Sequence, residues 1–517
     1  MQLLQRQSPA VFTIHRLRHV TLDYLWVASV LWLIWIVISM LPLPPNDLWW
    51  HMAAGRIMVD EGAWLQTNRW AYTLPYDARY IYQSWLSEIM MYGLWWLGDV
   101  PLLSLARTLA IVGSYGLVAW HALRRCGNGI AVALALLLAS FASIDNWTLR
   151  PQTLALVPAA ALVVITSEYL HGRLRVRWLA AVPLIMLLWV NMHGSFIMGA
   201  ALLVLVWLSA AWTLLRSEPA ARRAAFRQLG VWTAVGLATL GAVLLNPLGS
   251  GIFGYVRMML SNTSLQTSFM EWQPPRNTFG LLSSGFWFFT IMLGLAVLMA
   301  KSVRRPSTVD LLWYCGMAWL AIGGSRYVMW FALATMPLLA EQLATLFGPR
   351  SQLQSKPVLT LAYGALLGIT MLATLPWFTP ARFFGPEAAG AFASAGPYRM
   401  LLSSKNPIAA TEWLAEYPIE GRFWTDMSYS SYTIWRIPEK QVFADLRVEL
   451  FPETIWKQYN DIARGDQRSV EILNQWNITH VMLDRDWNKA LLQQLQRTPG
   501  WCERFVDGDA VVLARCQ

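Results

Sequence analysis

Between residues 22 and 378 the chain repeats one pattern, an apolar run followed by a short polar turn. Most of the runs are long enough to cross a hydrocarbon core of about 30 Å. Runs near 22–41, 101–122, 129–143, 152–170, 179–192, 195–215, 228–246, 281–300, 309–322, 327–346 and 358–378 make eleven predicted spans. The third, fifth and ninth are short and are expected to stop inside a protein-lined cavity, because a helix end in hydrocarbon leaves backbone groups unsatisfied. Composition agrees: 56% of the 517 residues are hydrophobic, 14% are charged and 30 are Trp, too much apolar surface for a soluble core. The expected fold class is a polytopic α-helical membrane protein with a small α/β C-terminal domain.

Lysine and arginine orient such a chain, because basic loops resist translocation. Alternate turns carry them: Arg6, Arg16 and Arg18; Arg124 and Arg125; Arg173, Arg175 and Arg177; Arg216, Arg222, Arg223 and Arg227; Lys301, Arg304 and Arg305; Arg350 and Lys356. These turns and the N-terminus are expected on the cytoplasmic side of an inner (plasma) membrane. The intervening turns and the C-terminal tail are then outside. The tail is nearly balanced in charge, so the net +10 lies in the membrane half. That charge is topological and gives no reason to expect a nucleic-acid partner. The first apolar run is too long for a secretory signal and no small-x-small cleavage site follows, so it is read as a span.

The predicted domains are a membrane domain, 1–379, with a long first outer loop at 42–100, and an extracytoplasmic α/β domain, 380–517. In the tail, "NPIAATEWLAEYP" and "PETIWKQYNDIARG" have helical spacing, while "GRFWTD", "KQVFADL", "ITHVMLD" and the terminal "CERFVDGDAVVLARC" read as strands. Four cysteines make no disulfide framework, and Cys126 and Cys315 read as incidental. Cys502 and Cys516 flank the terminal hairpin. An Asp507-Gly508 turn pairs position 502 near 513, which leaves the two sulfurs too far apart for an easy bridge.

Sorted by side, the conspicuous polar residues fall almost entirely on the outer one. Asp47, His51 and Glu88 lie in the first outer loop; Asn146, Arg150 and Gln152, Asn191 and His193, Asn246, Glu271, and Arg326 lie in later outer turns. Ionisable groups near the bilayer mark functional sites by default. Asn46 behind Pro44 and Pro45 is a good N-cap, so 47–59 is predicted to be an interfacial helix. Asp47 and His51 then share a face at i and i+4, with Trp49 and Met52 free to dip into lipid. "YIYQSWLSEIMMYGLWWLG" reads as a second interfacial helix with Glu88 in its middle. Taken singly, each of these residues is also compatible with a solvated or snorkelling role; their number and common side point to a site.

The runs "NDLWWHMAAGRIMVDEG", "SWLSEIMMYGLWWLG", "LRPQ", "NMHGSF", "NPLGSGIFGY", "EWQPPRN" and "SRYVMWFALATMPLLA" resemble polytopic bacterial membrane proteins grouped with the GT-C glycosyltransferases. These are lipid-phosphosugar-dependent enzymes of the protein mannosyltransferase and aminoarabinose transferase type. The resemblance covers about 40–350 in pieces, and the tail is similar to the outer domain such proteins carry. It implies a polyprenyl-phosphate sugar donor, an extracytoplasmic acceptor (glycan, lipid or protein) and a catalytic acidic residue just after the first span, where Asp47 stands. Many members have a paired acidic motif there; this chain has Asn46 beside Asp47.

The chemistry suits a single carboxylate. A polyprenyl phosphate leaves without help from an acid, so inverting displacement at the anomeric carbon needs only one base for the acceptor, unlike the two carboxylates of a glycosidase. Asp47 is the expected base. Arg150 and Arg326 are expected to hold the phosphate. His51 and His193 are expected to orient substrate or to be satisfied structural groups. Glu88 is expected to bind acceptor or to hold Arg150, and Glu271 to line the substrate site. Asp47, His51 and Glu88 are also ligand types for a divalent cation. The tail's "DRD" and "DGD" are more simply turns than nucleotide-sugar motifs. Two other classes stay open: a non-catalytic scaffold subunit, which Asn46 favours, and a lipid or solute transporter, whose site belongs near the midplane.

Overall fold

The computed structural model describes residues 22–262, 270–347, 356–378 and 401–516. Arg6, Arg16, Arg18, Arg350 and the predicted domain boundary at 379/380 lie outside the described residues.

A helix stands at each of the eleven expected spans, from Leu22–Met40 to Pro357–Ala373. Among the described residues seven helices are long and apolar enough to cross a membrane, and Val176–Met192, Thr308–Gly323 and Pro357–Ala373 are shorter apolar helices. The chain is a multi-pass membrane protein. Val328–Phe347 is the core helix of the bundle, buried from Val328 to Gln342. From Val328 to Ala340 it is almost wholly apolar, as a helix surrounded by other helices must be, and it packs on Gly129–Ser143, Trp85–Cys126 and Thr308–Gly323. The last span is tied to the first by hydrogen bonds one turn apart. The Trp32 indole donates to Thr370 Oγ1 at 2.7 Å and the Trp35 indole to Thr374 Oγ1 at 3.0 Å.

Helix Trp85–Cys126 is two helices joined at a break. Gly98 and Asp99 leave helical geometry, Asp99 with φ 55°, and Pro101 opens the second piece where its missing N–H costs nothing. The first piece crosses helix Leu48–Glu61 closely. The N-cap position falls on Asp47 rather than Asn46 as predicted; Asn46 Oδ1, one residue earlier, accepts from Leu48 N at 3.1 Å, and the Asp47 carboxylate makes no capping bond.

Three expectations for this loop are corrected. Trp49 and Met52 do not face lipid: both are buried, and the Trp49 indole donates to Asn406 Oδ1 at 2.9 Å and meets Tyr432 edge-on. The reason is that helix Met427–Arg436 of the tail covers Leu48–Glu61, with Ser431 Oγ accepting from Trp50 N at 3.1 Å. Residues 80–84 are not helical, because the helix starts at Trp85. Glu88 therefore sits in the first helical turn rather than mid-helix.

The tail carries a four-stranded sheet of β1 (Arg422–Thr425), β2 (Ile478–Asp484), β3 (Trp501–Val506) and β4 (Ala510–Arg515) in the order β1-β2-β4-β3, with only β1 and β2 parallel. Helices Ile408–Glu416 and Glu453–Ala463 match the two predicted ones. "KQVFADL" forms no sheet strand. Its Val442 pairs instead with the first loop, accepting from Tyr72 N at 3.1 Å and donating to Trp70 O at 2.7 Å. The first loop and the tail thus share one hydrophobic core, from Leu43 and Trp70 to Tyr429 and Val512.

The terminal hairpin is also corrected. Glu503 pairs with Leu513 but Phe505 with Val512, so Arg504 is an extra, bulged residue. The turn is also wider than two residues, Val506 pairing with Val511; turn and bulge together set Cys502 opposite Ala514, 5.2 Å (Cα–Cα) from Cys516, to which it is disulfide-bonded. "DRD" and "DGD" are turns, as expected: Asp484 Oδ1 accepts from Asp486 N and Trp487 N, and Asp507 Oδ1 from Asp509 N and Ala510 N. They converge on Lys405, whose ammonium lies within 3.5 Å of Asp484, Asp486 and Asp509.

Buried ions gather at both ends of the bundle. At the end bearing Arg124 and Arg125, Arg125 is bidentate to Asp310 at 2.9 and 3.0 Å and also pairs with Glu341. His121 and Arg173 meet Glu168. Arg304 completes the first set by pairing with Glu341 at 2.8 Å, so two cations there face two carboxylates. The opposite end, toward the tail, holds the site.

Candidate functional site

A chamber of about 310 Å³ lies between this end of the bundle and the tail. All seven predicted site residues line it: Asp47, His51, Glu88, Arg150, His193, Glu271 and Arg326. The short spans explain the convergence. Gly129–Ser143, Ala181–Met192 and Thr308–Gly323 end early, and within a few residues the chain delivers Arg150, His193 and Arg326. Asn191 and Asn246 do not line the chamber; Asn191 Nδ2 bonds the carbonyls of Leu187 and Leu245, and Asn246 closes its own turn on Val243 O and Gly249 O.

Asp47 and Arg150 form an ion pair, Oδ2 to Nε at 3.2 Å. Among the described residues this N–H makes no aligned hydrogen bond, so the contact is one of charge more than of geometry. The Asp47 side chain keeps 23% of its surface open. Burial raises its proton affinity above the usual carboxylate range; Arg150 opposes the shift without cancelling it. Arg150 also gives Nη1 to Glu271 Oε2 at 2.9 Å. Arg326 Nη1 lies 3.7 Å from the other Glu271 oxygen, with its guanidinium 4.0 Å above the Trp272 ring. For Glu271, burial pulls upward but Arg326 and then Arg150 outweigh it and hold the carboxyl below its ordinary value. The two carboxylates are thus pushed apart, Asp47 toward the proton and Glu271 toward the anion.

Glu88 does not reach Arg150, contrary to one expectation for it. Its carboxylate meets His51 Nδ1 at 2.8 Å and is 99% buried, and among the described residues its second oxygen has no partner. His51 stacks against Trp50, ring centroids 3.6 Å apart, and burial keeps it neutral. His193 is lowered to about 3, by burial first and then by Arg326, and its Nδ1 bonds Ser195. Glu88 facing His51 and Asp47 facing a guanidinium do not make a ligand set. Among the described residues no three His, Cys, Asp or Glu are grouped to hold a metal ion.

Four titratable lining groups were not singled out from the sequence: Tyr80, Tyr82, Tyr255 and Glu449. Glu449 comes from the tail and accepts from the Tyr80 hydroxyl at 2.8 Å; burial pushes its carboxyl up. Behind it, Arg447 is wholly buried. It pairs with Asp445 at 2.6 Å, donates to Tyr82 OH and Asn68 Oδ1 at 3.0 Å each, and lies 4.7 Å over Trp70. Tyr80 and Tyr82 alternate in "YIYQS", the one local signal that this stretch is extended rather than helical.

No family model and no curated protein matches the chain. Solved structures do. ArnT from Cupriavidus metallidurans superposes with a TM-score of 0.51 when bound to undecaprenyl phosphate, at 16% identity over 95% of this chain and 97% of that one. In its apo state the TM-score is 0.52, at 15% identity over the same shares. The archaeal oligosaccharyltransferase AglB from Archaeoglobus fulgidus, in complex with an inhibitory peptide and a dolichol-phosphate, gives 0.50 at 14% identity, over 95% of this chain and 74% of that one. The chain is a polytopic membrane protein with the GT-C fold that its motifs led one to expect.

Proposed function

We propose that the chain transfers a sugar from a polyprenyl-phosphate donor to an extracytoplasmic acceptor, with inversion at the anomeric carbon. The observation that carries this reading is the pairing, in one chamber, of a carboxylate with raised proton affinity, Asp47, and two arginines, Arg150 and Arg326. An acceptor hydroxyl or amine attacks the anomeric carbon, its proton passes to Asp47, and the bond to the phosphate oxygen breaks with its electron pair leaving on the lipid phosphate. The arginines neutralise that charge as it grows. His51, oriented by Glu88, and His193 face the sugar as neutral hydrogen-bonding groups.

A route for the lipid supports the reading. The chamber shares Gln83, His193, Tyr255 and Arg326 with an annex of about 110 Å³ that is lined further by Ile197, Met198 and Trp330. Ile197 also lines an apolar groove of about 420 Å³ between Phe196–Arg216 and Pro219–Val243. The groove suits a polyprenyl chain and the chamber its head. The Cys502–Cys516 disulfide suits a tail outside the cytoplasm, and labelling of cysteines placed at 171–178 from outside would contradict that orientation. The membrane lipids themselves are the other expected partners.

The Asp47–Arg150 pair and Asn46 favour a second reading, a non-catalytic scaffold with the same fold. The experiment that separates the two is transfer of labelled sugar from a polyprenyl-phosphate donor by the purified chain across a panel of glycan, lipid and peptide acceptors. Product with the inverted anomer supports the transferase. Donor binding with no transfer to any acceptor supports the scaffold.

A further inference from the structure

Each oxygen of Glu271 faces a different arginine, Oε2 toward Arg150 Nη1 at 2.9 Å and Oε1 toward Arg326 Nη1 at 3.7 Å. A planar anion held between two guanidinium groups is the arrangement in which arginines bind phosphate. The contact is not sealed into a core: the Glu271 side chain is 39% exposed and that of Arg150 30%, both toward the chamber. The backbone beneath is fixed. Ser325 N donates to Gln273 O at 2.9 Å, and Ser325 Oγ to Met270 O and Glu271 O at 3.2 and 3.1 Å. The carboxylate can therefore leave its place by rotating its side chain, with the turn at rest.

We propose that Glu271 occupies, in the empty protein, the seat of the donor's phosphate, and that the arriving phosphate displaces its carboxylate from Arg150 and Arg326. The proposal rests on the reading of the chamber as a lipid-phosphosugar site. Charge balance gives the reason for it. Asp47, Glu271, Arg150 and Arg326 together carry no net charge, whereas two uncompensated guanidinium groups half-buried beside a bilayer would be costly. An internal carboxylate keeps them compensated until an external anion comes. A phosphodiester bringing one negative charge must take these cations from the carboxylates that hold them. Arg150 is the cation Glu271 shares with Asp47. Its transfer to the phosphate turns away from Asp47 the nearest positive charge that opposes its taking a proton. The base is thus unmasked by the donor, and donor binds before acceptor. The ion pair at Asp47 is then the resting state of a working site.

The test is the affinity of the full chain, in detergent, for undecaprenyl phosphate and for inorganic phosphate, read by tryptophan fluorescence, with Trp272 beside the seat. Removing the competing charge with Glu271→Gln is expected to tighten both affinities on the order of tenfold. Glu271→Ala should act in the same direction, and the gain should vanish when Arg150 and Arg326 are both changed to Gln. Unchanged or weaker binding by a Glu271→Gln chain of normal melting temperature overturns the proposal. So does a structure of the wild-type chain with undecaprenyl phosphate in which Glu271 still lies between the two arginines. Tighter phosphate binding by Glu271→Gln, with no sugar transfer by the wild type, upholds the seat and removes the transferase reading. Sugar transfer by the wild type, with unaltered phosphate affinity in Glu271→Gln, removes the seat alone.

Discussion

Gly55 lies against the backbone of Glu88 so closely that a Cβ at position 55 would stand 2.2 Å from the Glu88 carbonyl oxygen. This contact is where helix Leu48–Glu61 crosses the start of Trp85–Cys126, one turn beyond His51. Only glycine lets the two helices come near enough for His51 and Glu88 to meet. Gly55→Ala is expected to force them apart, costing about 1–3 kcal/mol. The melting temperature should fall, and sugar transfer should fall further than that loss of folded protein accounts for. Unchanged stability would mean that the crossing is not tight.

Arg447 couples the tail to the chamber. Its guanidinium has no exposed surface and joins Asp445 of the tail to Asn68 and Tyr82 of the first loop. Arg447→Ala leaves Asp445 buried without its cation, a change that costs about 3–5 kcal/mol. Proteolysis of the 64–84 loop should accelerate in the variant. Adding Asp445→Asn should restore part of the stability, since the stranded charge is then gone.

Acid should loosen the tail through His480. Its pKa is lowered from 6.5 to about 3 by burial and then by Lys440, and it is fully buried on β2. Between those values the unfolded chain binds a proton that the folded chain refuses, so stability is complete above about pH 6.5 and is lost as pH falls toward 3. His480→Phe keeps the stack on Phe423, whose centroid is 5.0 Å away. It should flatten the dependence of tail melting on pH between 7 and 5; an unaltered slope would assign the effect to other groups.

The Cys502–Cys516 bridge closes a 14-residue separation. Replacing both by serine should lower the stability of the terminal hairpin by about 3 kcal/mol. Thiol labelling of the native chain without reductant should spare 502 and 516, and reduction should open both to the label. Labelling of 502 and 516 without reductant would contradict the bridge.

Apolar periodicity and basic turns made the bundle legible, because span length and loop charge are local properties. The seven chamber residues were legible for the same reason: each lies in a loop or turn on the same side of the spans. What the residues do to one another was not. Asp47 and Arg150 are about a hundred positions apart, and no local pattern shows that they touch. Glu449 and Arg447 reach the site only because the tail docks on the first loop, which also buries Trp49 and Met52. The helix Met427–Arg436 that makes this docking is rich in Ser, Thr and Tyr, so little in its composition marks it as buried. The hairpin register that lets Cys502 meet Cys516 depends on a turn wider than Asp507-Gly508, with Val506 opposite Val511, and on a bulge at Arg504, neither of which the dipeptide announces.

The central claim is that Asp47 takes the acceptor's proton. Its most direct measurement is turnover of lipid-linked sugar by Asp47→Asn and Asp47→Ala, in chains whose affinity for undecaprenyl phosphate is shown to persist. The expected result is a fall in kcat of about 10²–10⁴ with donor binding retained. Full turnover by either variant would contradict the claim.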